Sequence, residues 1–222
     1  MLVDFIVLTK SFKRGGYCIA GINVRNGEWI RLVTDDFNTE GAVPKEDARY
    51  YEDRPVEVLD CVKVDLISTL PTNAQSENWL YNRKSFWQFV RKYTINEILQ
   101  LHPLDTAIPV FGSYDNYCTP DQLDGSSLLL VKVSQPYIAV NTYENDYSNK
   151  TKVYFNCIIN NINYSRFSVS DICLYLEYKQ KGDGMYPLDD GYAVLSLAGA
   201  WSPPGKNNDI RHYKMLAQFF PI

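Results

Sequence analysis

The sequence predicts a mainly β protein with short helices, of β-barrel or α+β class. Apolar runs of strand length recur along all 222 residues, divided by Gly, Asn and Pro turns. Aromatic residues make up 14% of the chain, 17 of them Tyr, and this bias favours pleated, half-buried surfaces. Apolar content of 45% with 22% charge excludes a disordered or fibrous chain, and the length suits one large domain or two small ones.

The opening reads as three consecutive strands. Val3–Leu8 leads through the turn Lys13-Arg14-Gly15-Gly16 into Tyr17–Val24, and Arg25-Asn26-Gly27-Glu28 then turns into Trp29–Val33. Asn-Gly between apolar runs predicts a type I′ hairpin, because both residues tolerate positive φ. Residues 35–55 are polar and acidic and predict a long exposed loop, after which Val56–Leu66 returns to strand character. Trp79, Leu80, Phe86, Phe89 and Val90 fall at helix-compatible spacing, which predicts helix over 77–81 and 85–92. Thr94-Ile95-Asn96-Glu97 is a capping box that starts a short helix through Leu101, halted near Pro103. An irregular stretch with three prolines follows, then a buried strand over Ser126–Val133.

Gln135-Pro136 marks the expected boundary, giving barrels over 1–135, with a helical insertion, and 136–222. In the second half, Tyr137–Tyr143 and Lys152–Ile159 read as strands, and Asn160-Asn161 turns into a third over Ile162–Phe167. Ser170 is positioned to cap a helix from Asp171 to about Lys179. Residues 181–190 read as loop, followed by strands over Tyr192–Leu197 and His212–Phe220. Five strands with a helix between the third and fourth is the order of an OB barrel, which closes on itself and hides its edges.

The compartment is expected to be the cytoplasm. Asp4 interrupts the first apolar run, no run is long enough to span a bilayer, and the five scattered cysteines contain no CxxC pair. The two histidines, His102 and His212, stand outside any metal-ligand spacing, and the chain lacks GxSxG, P-loop and Rossmann fingerprints. No catalytic centre, metal or cofactor is therefore expected. The remaining enzymatic alternative is nucleotide processing by Glu77 and Asp171, which lie in different halves.

Net charge is −4, against a generic polyanion coat. Charge is unevenly placed, however: residues 1–34 carry five cations and two anions, whereas 35–65 carry ten acids and four bases. The Gly15-Gly16 turn beside Lys13 and Arg14 reads either as a backbone nest for an anion or as a solvated hairpin. Trp29 and Arg31 share a strand face, either stacking a base and holding a phosphate or buried with a paired acid. Gln75-Ser76-Glu77-Asn78 stands at an expected helix start, where Ser76 or Asn78 caps and Glu77 favours the positive end. Otherwise these residues are buried polar groups that contact the neighbouring barrel or a ligand's donor edge.

Taken in order, several segments resemble the bacterial and archaeal dual OB-containing domain family. They are Ser11, Gly15–Gly21, Glu28–Val33, Leu59–Val62, Gln75, Glu77, Asn78, Phe167–Asp171, Ala193–Leu197 and His212–Ala217. The chain reads as a non-enzymatic recognition module of two OB-like barrels. The resemblance covers nearly the whole chain and implies two small barrels packed together. It implies sensing of single-stranded nucleic acid or a nucleotide-like ligand in prokaryotic conflict systems. The expected site is Lys13, Arg14, Gly15, Gly16, Trp29, Arg31, Gln75, Glu77 and Asn78. The alternative is a module docking on an effector protein.

Overall fold

The computed structural model describes residues 1–13, 15–36, 39–145, 148–205 and 208–222. The chain is mainly β, with 53% strand. It divides into two compact units, Met1–Pro103 and Leu104–Ile222.

The first unit contains β1 (Leu2–Lys13), β2 (Gly16–Asn23), β3 (Trp29–Val33), β4 (Asp60–Thr69), β5 (Asn78–Tyr81), β6 (Gln88–Lys92) and α1 (Ile95–Leu101). Strand order is β1-β2-β3-β5-β4-β6, and pairing of β1 with β4 closes the first five into a barrel. β3 and β5 run parallel, Arg31 opposite Asn78, while the other neighbours are antiparallel. Alternation along each strand sends Phe5, Val7, Ile19, Ile30, Leu32, Val62, Val64 and Tyr81 into one core. Each such fully buried side chain contributes about 1.5–3 kcal/mol of transfer free energy.

Three local expectations are corrected here. The helix expected over 77–81 and 85–92 is two short strands, β5 and β6. The apolar spacing fits a helix, but Asn82 Oδ1 accepts the Lys84 N–H at 3.1 Å and turns the chain between the two runs. Residues 35–55 are not simply exposed: Ala42, Val43, Ala48 and Tyr50 are buried, and Val43 exchanges both backbone hydrogen bonds with Tyr17. The Asn26-Gly27 hairpin forms, but its connection spans 24–28 and only Gly27 (φ 71°) has positive φ there. The Thr94–Glu97 capping box is present as expected.

The second unit contains β7 (Tyr117–Cys118), β8 (Leu128–Asn145), β9 (Ser148–Ile159), β10 (Ile162–Val169), α2 (Ile172–Lys181), β11 (Gly184–Pro187), β12 (Gly191–Leu197) and β13 (His212–Pro221). Its barrel runs β10-β9-β8-β12-β13 and closes through a parallel β10–β13 pair, with β11 added to β8 and β7 to β13. The helix lies between the third and fourth barrel strands, as the sequence indicates. Asn160 and Asn161 both take positive φ (48° and 65°) in the tight turn between β9 and β10.

The boundary expected at Gln135-Pro136 falls inside β8. Pro136 has no N–H to donate, and the chain answers with a register shift between Ser134 and Tyr137 rather than a break. The division lies instead between Pro103 and Leu104. The helix cap is Asp171, not Ser170: Asp171 Oδ1 accepts the Leu174 N–H at 3.1 Å, while the Ser170 hydroxyl donates to the Leu216 carbonyl at 3.1 Å. The loop expected over 181–190 contains β11.

Lys214 on β13 is fully buried. Its ammonium donates to the Ser113 carbonyl and faces the Tyr164 and Phe167 rings at 5.4 and 5.9 Å. Burial pushes its pKa down to about 8, against the opposing pull of Cys118 and Asp115. The unfolded lysine titrates near ~10.4, so between these values the unfolded chain binds more protons and stability rises with pH. Urea unfolding is expected to show that rise between pH 8 and 10, and Lys214→Met to lack it. Equal slopes in the two proteins would contradict this account.

Candidate functional site

The parallel β3–β5 seam organises the candidate site. Arg31 donates its backbone N–H to the Glu77 carbonyl at 2.8 Å, which sets Glu77 and Asn78 beside β3. Their side chains then diverge. Arg31 Nη2 donates to Glu77 Oε1 at 3.1 Å, and Nη1 reaches Cys18 Sγ at 3.5 Å. Both members of this ion pair are buried, at 4% and 8% exposure.

Asn78 opens elsewhere. It is 4% exposed and lines a groove of about 550 Å³ formed by the end of β1, the end of β3 and the β4–β5 connection. Its amide nitrogen donates to Gln75 Oε1 at 3.3 Å, and its Oδ1 is buried without a hydrogen-bond partner. Native structures leave few buried acceptors unmet, so an unpaired one beside a cavity is a candidate ligand contact. Lys13, Asp35, Asp36 and Glu40 also line the groove, with Val33 and Leu70 as its apolar wall. Burial lowers the Lys13 pKa; Cys18 opposes this, Arg31 adds to it, and Glu40 opposes it.

The structure brings three expected residues, Lys13, Gln75 and Asn78, to one groove. Arg14 lies outside the described residues. Gly15 (φ 79°) makes the β1–β2 turn, and a Cβ there would stand 3.0 Å from Thr39 Cγ2. At Gly16 a Cβ would stand 2.1 Å from the Val43 carbonyl oxygen, so this glycine is required by close backbone packing. Trp29 does not line the groove; it is half-buried, with its ring edge against His102 at 5.1 Å between centroids. Arg31 and Glu77 neutralise each other, which is the paired-acid alternative for Arg31; for Glu77 it replaces the expected helix start, since β5 follows and no helix begins there.

Asp35, Asp36 and Glu40 were missing from the expected site. Their signal was the acidic run that begins directly after β3, read as a solvated loop.

The residues of the enzymatic alternative have structural partners. Glu77 holds Arg31, and Asp171 accepts N–H groups from Leu174 and Phe219 at 3.1 and 3.3 Å. Burial raises the Asp171 pKa against those backbone donors. The histidines meet backbone carbonyls, His102 that of Gly27 and His212 that of Ala198.

Both units share one topology: five barrel strands in the order 1-2-3-5-4, closed by pairing of the first with the fourth, the third and fifth parallel. That is the Greek-key barrel of the OB fold. The chain matches the Dual OB-containing domain family over residues 3–219. It belongs to that family. No curated protein and no solved structure matches it. Among the described residues of this dual OB protein, no helix is long and apolar enough to cross a membrane.

The buried ion pair makes a direct prediction. Removing one partner strands the other charge inside, a loss of about 3–5 kcal/mol. Arg31→Ala is expected to lower the urea midpoint strongly, and Arg31→Met with Glu77→Leu to recover much of that loss. A stable Arg31→Ala protein would show the pair to be energetically idle.

Proposed function

We propose that this dual OB protein is a non-enzymatic recognition module whose first barrel holds a compact polar ligand in the Asn78 groove. Family membership supports a binding role in general. OB barrels bind along their second and third strands and the 1–2 and 4–5 loops, and the groove lies against those same connections of the first barrel. The observation that carries the reading is the buried Asn78 oxygen without a partner at the groove.

The ligand is one that offers N–H donors, a nucleobase edge or an amine. Amide and carboxylate side chains read donor edges of bases, so a nucleotide-like ligand enters base first. A single strand gripped by its phosphates is not favoured, since Arg31 is committed to Glu77 and the groove is rich in acids. The family resemblance is what supports a setting in prokaryotic conflict systems. Calorimetric titration with adenosine, cytidine, AMP and agmatine (a guanidinium amine) is expected to find at least one binder. Asn78→Ala should weaken it tenfold or more. Binding unaffected by that change would remove the groove from consideration.

The second reading, docking on an effector protein, is favoured by one exposed aromatic surface. Tyr51 and Phe86 are 78% and 67% exposed and meet edge to face at 5.4 Å, beside the edge strand β6 with Phe89 and Val90. A stoichiometric partner retained by the native chain and released by Phe86→Ser with Tyr51→Ser would establish it. Retention by the double variant would refute it.

A further inference from the structure

We propose that the first-barrel groove receives a guanidinium or ammonium group on an aliphatic stem, and rejects phosphate. The inference rests on the groove being the ligand site and names the class of group that fits it.

Charge is the first argument. Among the described lining residues one cation, Lys13, stands against Asp35, Asp36 and Glu40. Burial and the nearby Arg31 both weaken the hold of Lys13 on its proton. Asp35 and Glu40 are exposed and form no ion pair among the described residues. A groove so lined repels a phosphate and attracts a cation, with field lines focused by its low-dielectric walls.

Hydrogen-bond polarity points the same way. The Asn78 amide nitrogen is engaged by Gln75, so the hydrogen-bonding capacity left on this lining side chain is that of a buried acceptor. Only an N–H or O–H donor satisfies it, and phosphate oxygens at neutral pH mainly accept. Guanidinium carries five donors in a planar fork and ammonium three, and neither accepts. Arg31, the residue best suited to grip phosphate, is turned away in its bond to Glu77. The third argument is the wall. Val33 and the 46% exposed Leu70 offer apolar surface for a methylene stem, in the manner of long cationic side chains elsewhere.

The group has two sources, a free amine or a basic side chain on a polypeptide, and one calorimetric panel on the full chain separates them. The probes are agmatine, a blocked Gly-Arg-Gly tripeptide, adenosine and inorganic phosphate. We expect agmatine or the tripeptide to bind, the tighter one identifying the source. Asp35→Asn with Glu40→Gln, both on exposed side chains, should weaken that binding about tenfold or more. Lys13→Met should tighten it threefold or more, the opposite of its effect on an anion site.

Adenosine binding that ignores the carboxylate variants, with neither cation bound, overturns the cation class and leaves the groove as the site. Phosphate binding lost in Lys13→Met overturns it also. Binding of no probe overturns both the class and the groove.

Discussion

Closure of each barrel depends on one parallel contact between its third and fifth strands. Most antiparallel neighbours follow from hairpins, but the parallel pair, like the antiparallel first–fourth pair, unites segments far apart in sequence and lacks a local turn to set its register. In the first unit that seam joins β3 to β5, with the Arg31–Glu77 ion pair on it. Two buried charges are a costly way to gain stability alone, because desolvation offsets most of their attraction. Their evident effect is positional: Glu77 meets Arg31 only when Asn78 stands opposite Arg31, the register that brings Asn78 to the groove.

The uneven charge of the chain follows from the same arrangement. The cationic opening and acidic run are neighbours in space as well as in sequence, since the connection after β3 folds back over the β1–β2 turn through the Tyr17–Val43 bridge. Gly16 has no side chain because the Val43 carbonyl occupies that space. Carboxylates therefore reach the end of β1, and Asp35, Asp36 and Glu40 share the groove with Lys13. Reading net charge segment by segment missed this, because field adds over distance and not over sequence.

Much of the fold was legible in the residues. Strand-length apolar runs, the Asn160-Asn161 turn, the Thr94–Glu97 box and the helix before β12 were all visible as local patterns, and local patterns are what sequence displays. Errors arose where a nonlocal partner decided the outcome. Trp79 to Val90 has helical spacing, yet β5 is held by β3 and β4, and β6 by β4. Pro136 looks like a break, yet β8 continues because β9 and β12 hold it on both sides. Lys13, Gln75 and Asn78 stood out for the same reason, since they sit beside turns, whereas the acids join them at the groove only through folding. Arg31 and Trp29 could not be assigned from strand alternation, which gives their face but not what covers it.

The two barrels also show how one topology yields unlike surfaces. In the second, the connection from third to fourth strand is α2, tied down by Asp171 to Phe219 and by Ser170 to Leu216. Those bonds consume the polar groups at the helix start, so Asp171, although buried and acidic, is spent on structure. In the first, the described residues of the same connection contain no α-helix; Val43 and Tyr50 anchor it in the core while Asp35, Asp36 and Glu40 remain at its groove end. A helix satisfies its own backbone and needs few side-chain partners, whereas an irregular connection must be pinned residue by residue. Between its pins it is free to present side chains outward. The groove at Asn78 is accordingly lined by an irregular connection, whereas the comparable groove of the second barrel runs beside α2, with Asp171, Leu174 and Tyr178 in its wall.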